Sequence, residues 1–166
     1  MGRTLHGIWA CLLLASLAAC GPTRTLADAI RQVDSELRVE HVVEILRTDV
    51  NGETVVLQTA TAGLSDLLVV MVFATGDPGH RLLFGTNDIV GGAYPAAISF
   101  SNANGKFYVF GTIQDARIAS LQLDRVDGGK PISVSRPGFV IVRDQTDGAS
   151  PWRFLDGKGN VVLSGG

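Results

Sequence analysis

The chain has 166 residues, and 14 Lys and Arg against 16 Asp and Glu give it a formal net charge of −2. This length suits one domain or two small lobes and is sufficient to bury a core. The charges of both signs are interleaved without a basic run, so we expect no nucleic-acid partner.

The amino-terminal segment has the organisation of an export signal. Arg3 precedes an apolar run from Ile8 to Leu17, and the sequence LAAC follows, ending at Cys20. The apolar run is about ten residues long, roughly half of what a helix needs to cross a bilayer. The arrangement resembles a bacterial lipoprotein signal peptide. The resemblance implies that residues 1–19 are removed and that Cys20 becomes the first residue and carries the acyl chains.

Lipidation would determine where the protein resides. Each buried methylene contributes about 0.8 kcal/mol, so two or three acyl chains hold a protein on a membrane essentially permanently. We expect an exported protein anchored to the outer face of the cell membrane or to the outer membrane of a bacterium. An ordinary secretory peptide or a buried amino-terminal helix are the alternatives. Removal of Cys11 and lipidation of Cys20 would leave no thiol for redox chemistry.

Residues 20–25 are predicted to be a short lipidated tether, followed by a helix over 26–38. The tether is about four residues long and reaches roughly 14 Å when extended. Thr25 and Asp28 have the spacing of a capping box. The predicted helix has one apolar stripe, formed by Leu26, Ile30, Val33 and Leu37. Core packing explains this stripe better than a membrane surface does, because the polar face carries both signs of charge.

From Val39 the hydrophobic period changes to two. Residues 39–48 and 53–61 flank Asn51-Gly52, the dipeptide most typical of a two-residue hairpin turn. Residues 67–74 are apolar at every position, as expected for a strand that is covered on both faces. These segments predict an antiparallel sheet.

Residues 85–95 are rich in glycine and lack periodicity, which favours a linker or functional loop. We therefore divide the folded part into lobes over 26–95 and 96–166. Seven short strands are predicted in the second lobe, at 97–101, 106–113, 117–125, 131–135, 138–143, 152–156 and 160–164. The predicted fold is mainly β within the α+β class, with one helix on an antiparallel sheet followed by a β-sandwich-like lobe.

The second lobe also carries a hydrophobic pattern with characteristic turns. It runs through residues 108–113, Ile118, Leu121 and Leu123, Gly138-Phe139, and residues 154–162. This pattern resembles the carboxy-terminal part of small uncharacterised lipoproteins and membrane-associated proteins of Gram-positive bacteria. The resemblance implies an antiparallel β-rich fold. It brings no activity and no functional residue to transfer.

Two histidines follow Cys20 in the chain. His41 lies within a predicted strand, where we expect a cross-strand pair on the solvent face. His80 lies beside a predicted turn, and with Asp77 or Asp88 it would provide the acid and base of a cell-wall hydrolase. Two distant histidines without a thiol are a poor zinc set, and the oxygen-rich loops lack calcium-loop spacing. We expect no metal and no cofactor.

Aromatic side chains are the remaining candidates for ligand binding. Trp152 with Arg153, together with Tyr94 in the glycine-rich segment, would present a flat stacking surface to a sugar or a peptide. A lone tryptophan in a strand more often belongs to the core. A small-ligand carrier is a further alternative, with a pocket between the lobes lined by Leu83, Phe84, Tyr94 and Phe110.

The function that this sequence favours is binding rather than catalysis. The sequence contains no nucleophile-elbow motif, no recognisable set of metal ligands and no phosphate-binding loop motif. We expect a non-catalytic, lipid-anchored cell-envelope protein whose partners are the membrane, through its lipid, and an envelope protein or polysaccharide. The hydrolase and the carrier remain the alternatives.

Overall fold

The computed structural model of the protein describes residues 25–74, 80–89, 95–144 and 151–165. Within these ranges the elements are α1 (Leu26–Leu37), β1 (Glu40–Val50), β2 (Glu53–Ala62), β3 (Ser65–Ala74), β4 (Arg81–Ile89), β5 (Ala96–Ala103), β6 (Lys106–Ile113), β7 (Ile118–Leu123), β8 (Ile132–Ser133), β9 (Gly138–Arg143), β10 (Trp152–Asp156) and β11 (Val161–Gly165). A short 3₁₀ turn over Asp127–Gly129 follows β7. The predicted mainly β fold with a single helix is confirmed for these ranges.

Helix α1 begins where its sequence predicts and ends one residue before the predicted end. The backbone N–H of Asp28 donates to Thr25 Oγ1 at 3.2 Å, and the Asp28 carboxylate accepts from the Thr25 backbone N–H at 3.3 Å. This reciprocal pair is a capping box. Arg38 adopts the left-handed conformation at φ 53° and ends the helix one residue earlier than predicted. Ala29 and Val33 are buried on its inner side.

The first sheet is an antiparallel meander in the order β1-β2-β3-β4. Asn51 and Gly52 have φ values of 53° and 78°, so the β1–β2 connection is the predicted tight hairpin. From Leu67 to Phe73 strand β3 is buried at every position, because both of its faces are covered. The prediction from its continuous apolar run is confirmed.

The prediction of a linker from residue 85 was wrong over its first part. Strand β4 continues through Ile89, and Gly85 pairs with Met71 while Thr86 pairs with Val70. Backbone hydrogen bonds to the buried strand β3 hold this segment in an extended conformation, although its sequence lacks hydrophobic alternation. Residues 90–94 lie outside the described residues.

Strands β5 to β11 occupy the seven predicted positions, although β7 and β8 are shorter than predicted. Strands β5, β6 and β9 form the central sheet, in the order β5-β6-β9. The third sheet has the order β11-β10-β7-β8. Strands that follow one another along the chain therefore do not always share a sheet. Strand β9 belongs to the central sheet, whereas β8 before it and β10 after it belong to the third sheet.

The layers stack in the order α1, first sheet, central sheet and third sheet. The helix and the first sheet enclose a cluster whose buried members are Ala29, Val33, Val56, Ala60, Leu67, Val69, Met71 and Phe73. The opposite face of the first sheet packs on the central sheet through Val55, Leu57, Leu68, Val70, Val72, Tyr108, Phe110 and Val142. The central and third sheets enclose a further cluster that includes Phe107, Val109, Leu121, Phe139 and Phe154. Residues 26–89 and 96–165 thus share one apolar interface.

Candidate functional site

A cleft of about 390 Å³ opens between the first sheet and the central sheet. Its lining comes from the start of β1, the β2–β3 hairpin, the start of β5 and the segments that follow β6 and precede β9. The lining residues are His41, Ile45, Thr59, Ala60, Thr61, Asp66, Ala97, Thr112, Ile113, Gln114 and Pro137. This volume lies at the lower end of the range of roughly 300–1,000 Å³ that is typical of small-molecule sites.

The cleft begins where the side chains on one face of strand β2 change from apolar to polar. Alternate residues of a strand point to the same face. On the face toward the central sheet, the buried Val55 and Leu57 are followed by Thr59 and Thr61, which line the cleft. The apolar interface between the sheets therefore ends at Leu57, and a polar wall continues from it.

Strands β3 and β6 make the same change at the same end of the interface. On β3, the buried Leu68 gives way to Asp66. On β6, the buried Phe110 gives way to Thr112 and then to Gln114 just beyond the strand. Because β2 and β3 are antiparallel, the change occurs late in β2 and early in β3, which brings the polar side chains together.

His41 lies at the mouth of this cleft, at an irregular point of β1. The register passes from Glu40 opposite Thr61 to Val43 opposite Thr59, so His41 has no directly opposite residue. Its φ of 48° lies in the left-handed region, which is uncommon for a residue with a side chain. The expected cross-strand pair was wrong, because a β-bulge turns this residue toward the cleft.

The polar side chains of the cleft retain hydrogen-bonding capacity. The Thr61 hydroxyl donates to the Glu40 carbonyl at 3.2 Å and keeps its lone pairs as acceptors. Within the described ranges, no side-chain hydrogen bond or ion pair engages His41 or Asp66. Such groups on the walls of a cleft are available to a ligand.

The opposite end of the same interface is closed by a polar cluster. Lys106 Nζ lies 2.9 Å from Glu53 Oε1, and the Tyr108 hydroxyl donates to Glu53 Oε2 at 3.1 Å. Burial raises the pKa of Tyr108, and the neighbouring Glu53 carboxylate raises it further. Glu53 and Lys106 each follow an Asn-Gly turn, at Asn51-Gly52 and Asn104-Gly105. Two hairpins from different sheets are thereby joined.

His80, the candidate base, lies apart from the cleft. It precedes β4, and its Nδ1 is buried without a hydrogen-bond partner among the described residues. Its candidate partner Asp77 lies outside the described residues, and Asp88 lies in β4 opposite Leu68. Among the described residues, His41 and Asp66 line a common cleft, and His80 does not line it.

The candidate stacking residues of β10 lie in the third sheet. Trp152 is half-buried and contacts Phe154 edge-to-face at 5.5 Å between ring centroids. The Arg153 guanidinium forms two hydrogen bonds with the Asp124 carboxylate, at 2.8 and 3.0 Å. Neither side chain lines the cleft. Their use as a stacking surface stays a prediction.

Two other predicted site residues, Cys20 and Tyr94, lie outside the described residues. Of the side chains assigned to a carrier pocket, Phe110 is buried between the first and central sheets, with Leu83 and Phe84 packed against the same cluster. Phe84 contacts Tyr108 at 4.9 Å between ring centroids. Leu83, Phe84 and Phe110 are therefore not among the described residues that line the cleft.

The described residues contain no group of three or more His, Cys, Asp or Glu placed to hold a metal ion. None of them forms a helix whose length and hydrophobicity would carry it through a bilayer.

No protein-family profile, no curated protein and no solved structure matches this chain.

Proposed function

We propose that the protein is a non-catalytic, lipid-anchored cell-envelope protein that binds a small polar ligand in the cleft between its first and central sheets. One observation carries the binding function. Strands β2, β3 and β6 all change from buried apolar to polar side chains at the same end of their shared interface, at Thr59, Asp66 and Thr112. A few polar groups held on rigid strands beside an apolar floor are typical of a ligand site.

The arrangement of the titratable groups supports binding over hydrolysis. An acid or base is normally oriented by a hydrogen bond to a second group. In the described structure, His41 and Asp66 share the cleft without a side-chain hydrogen bond between them. Both are therefore better suited to contact a ligand than to transfer a proton.

The anchor is supported by the sequence LAAC ending at Cys20, directly after an apolar run. Helix α1 begins at Leu26, only six positions after this cysteine. A lipid on Cys20 would keep the folded part, and with it the cleft, within reach of the membrane surface. Ligands in or near the envelope would then be the ones that the cleft encounters.

Photo-crosslinking in living cells tests the cleft. A photoreactive residue replaces Thr112 inside the cleft of the full-length protein, and the same residue replaces Thr48 as a control. Thr48 is also half-buried but lies nearer the closed end of β1. We expect an adduct of a small molecule or glycan at position 112 that is absent at position 48, identified by mass spectrometry. Equal labelling at both positions would contradict the proposed site.

Mass spectrometry and fractionation test the anchor. We expect the wild-type chain to begin at Cys20 and to carry acyl chains. Cys20→Ala should release it from the membrane without unfolding it, whereas Cys11→Ala should leave anchoring unchanged because Cys11 belongs to the removed segment. A soluble, uncleaved and unacylated wild-type chain would refute lipid anchoring.

A further inference from the structure

The charges of the cleft indicate which ligands it accepts. Asp66 contributes a carboxylate to the lining, and no lysine or arginine is among the described residues that line it. Three arginines near the lining residues in sequence have partners outside the lining. Arg47 pairs with Glu44 at 2.5 Å and Arg117 with Asp115 at 2.7 Å, and the exposed Arg136, which precedes Pro137, interacts electrostatically with Asp115. An anionic ligand would face the Asp66 carboxylate with no lysine or arginine in the described lining, whereas a cationic ligand would pair with this carboxylate.

The neutral part of the lining indicates the rest of the ligand. The hydroxyls of Thr59 and Thr112 and the amide of Gln114 can donate and accept hydrogen bonds, whereas the Thr61 hydroxyl, which donates to the Glu40 carbonyl, can only accept. Ala97, Ile113 and Pro137 add apolar surface to the same lining. A lining that combines hydroxyl, amide and apolar groups complements a ring that carries several hydroxyl groups, and a cleft of about 390 Å³ limits the ligand to one or two such rings.

We propose that the cleft takes a hydroxyl-rich primary amine of amino-sugar size, with its ammonium group on Asp66 and its hydroxyls on the threonines and Gln114. This inference rests on the proposed function and specifies the chemical class of its ligand. His41 at the mouth offers a ring nitrogen to a ligand hydroxyl. Asp66 would distinguish an amino sugar from neutral and acidic sugars by charge, whereas the hydroxyl contacts would be similar for all three.

Three sugars of similar size separate charge from shape. The full-length protein in non-ionic detergent micelles is titrated with glucosamine, N-acetylglucosamine and glucuronate, and binding is followed by calorimetry and by amide NMR shifts at Ala97 and Thr112. Because Asp66 is exposed, we expect glucosamine to bind about threefold more tightly than N-acetylglucosamine, the ratio that a solvent-exposed ion pair provides. Glucuronate should bind most weakly.

Asp66→Asn should remove the preference for glucosamine over N-acetylglucosamine while retaining the weaker affinity for both. Asp144→Asn is the matched control, because Asp144 is exposed and follows β9 at the opposite end of the central sheet. Equal binding of glucosamine and N-acetylglucosamine to the wild-type cleft, or stronger binding of glucuronate, would overturn the amine assignment and leave the proposed function intact. No shift at the cleft with any of the three sugars would overturn the ligand class, and crosslinking at position 112 would then decide separately whether the cleft binds another ligand.

Discussion

The two ends of the interface between the first and central sheets differ in almost every respect. At one end, Glu53, Lys106 and Tyr108 join two tight hairpins through an ion pair and a hydrogen bond. At the other end, Thr59 and Asp66 line a cleft, and within the described residues no side-chain hydrogen bond or ion pair of these two joins the sheets. The same strands run through both ends, so the difference comes from their side chains and from the bulge at His41.

In this pair of sheets, the polar groups at one end of the interface contribute to stability, and those at the other end are available for ligand binding. The closed end satisfies its buried polar groups within the protein, which favours a unique packing of the two sheets. The open end leaves polar groups unsatisfied where solvent or a ligand reaches them. Substitutions of these polar side chains should therefore affect unfolding at the first end and ligand affinity at the second.

The largest expected effect is at the closed end. Glu53→Ala leaves Lys106 nearly buried and unpaired, at 18% side-chain exposure, and removes the acceptor of the Tyr108 hydroxyl. We expect a loss of about 3 kcal/mol in the free energy of unfolding, measured by urea denaturation of the full-length protein. The double variant Glu53→Ala, Lys106→Met should recover part of this loss. A loss below about 0.5 kcal/mol would show that the pair does not join the sheets.

A somewhat smaller effect is expected where β1 packs closely on β9. A Cβ on Gly138 would lie 2.7 Å from Ile45 Cγ2 and 2.8 Å from the Gly111 carbonyl oxygen. Gly138→Ala should therefore push the first sheet away from the central sheet beside the cleft and cost about 2 kcal/mol. Gly157→Ala is the control, since a Cβ there meets nothing within 4 Å. Equal melting temperatures for the two variants would contradict this packing.

Two threonines of β2 separate a structural hydroxyl from one that faces the cleft. Thr54 lies beside the closed end on the face turned away from the central sheet, is buried, and donates to Asp49 Oδ1 at 2.6 Å. Thr54→Val should lower the free energy of unfolding by about 1 kcal/mol. Thr59→Val in the cleft should change it by less than about 0.5 kcal/mol and should weaken ligand binding instead. The opposite ranking in urea denaturation would contradict the assignment of the Thr59 hydroxyl to binding rather than stability.

The smallest expected effect is a pH dependence near the open end. Hydrogen bonds from Arg117 lower the pKa of Asp115 from 3.8 to about 2. Because the folded-state pKa lies below the ordinary one, this pair stabilises the fold above the ordinary pKa and is lost as the pH falls through about 2. Arg117→Gln and Asp115→Asn should each flatten the stability profile in this window, followed by circular dichroism. An unchanged profile in both variants would contradict the assignment.

Much of the architecture could be predicted from local sequence. Thr25 and Asp28 marked the start of α1, and Asn51-Gly52 marked the first hairpin, because caps and tight turns depend on residues a few positions apart. The run at 67–74 indicated a strand covered on both faces. The sequence indicates β4 over 81–84 but not its continuation from Gly85 to Ile89, because the pairing of Gly85 and Thr86 to β3 depends on partners more than ten positions away.

The cleft could not be predicted because its lining comes from separate segments. Thr59, Asp66 and Thr112 are ordinary strand residues in sequence, and their common position depends on the antiparallel register and on the stacking of two sheets. The signal was present as apolar alternation ending in polar residues, but three strands had to be aligned first. His41 was hidden in the same way, because a β-bulge leaves no local mark.

The direct connection between α1 and β1 has a mechanical consequence. Only Arg38 and Val39 separate the helix from the first strand, and the helix packs on the sheet through Ala29 and Val33. If the chain is anchored to a membrane through Cys20 as proposed, a pull on the amino-terminal side of Thr25 would act on this helix packing before it reached the stacked sheets. Under such tension α1 would separate from the first sheet first, and the stacked sheets with the cleft between them would stay folded.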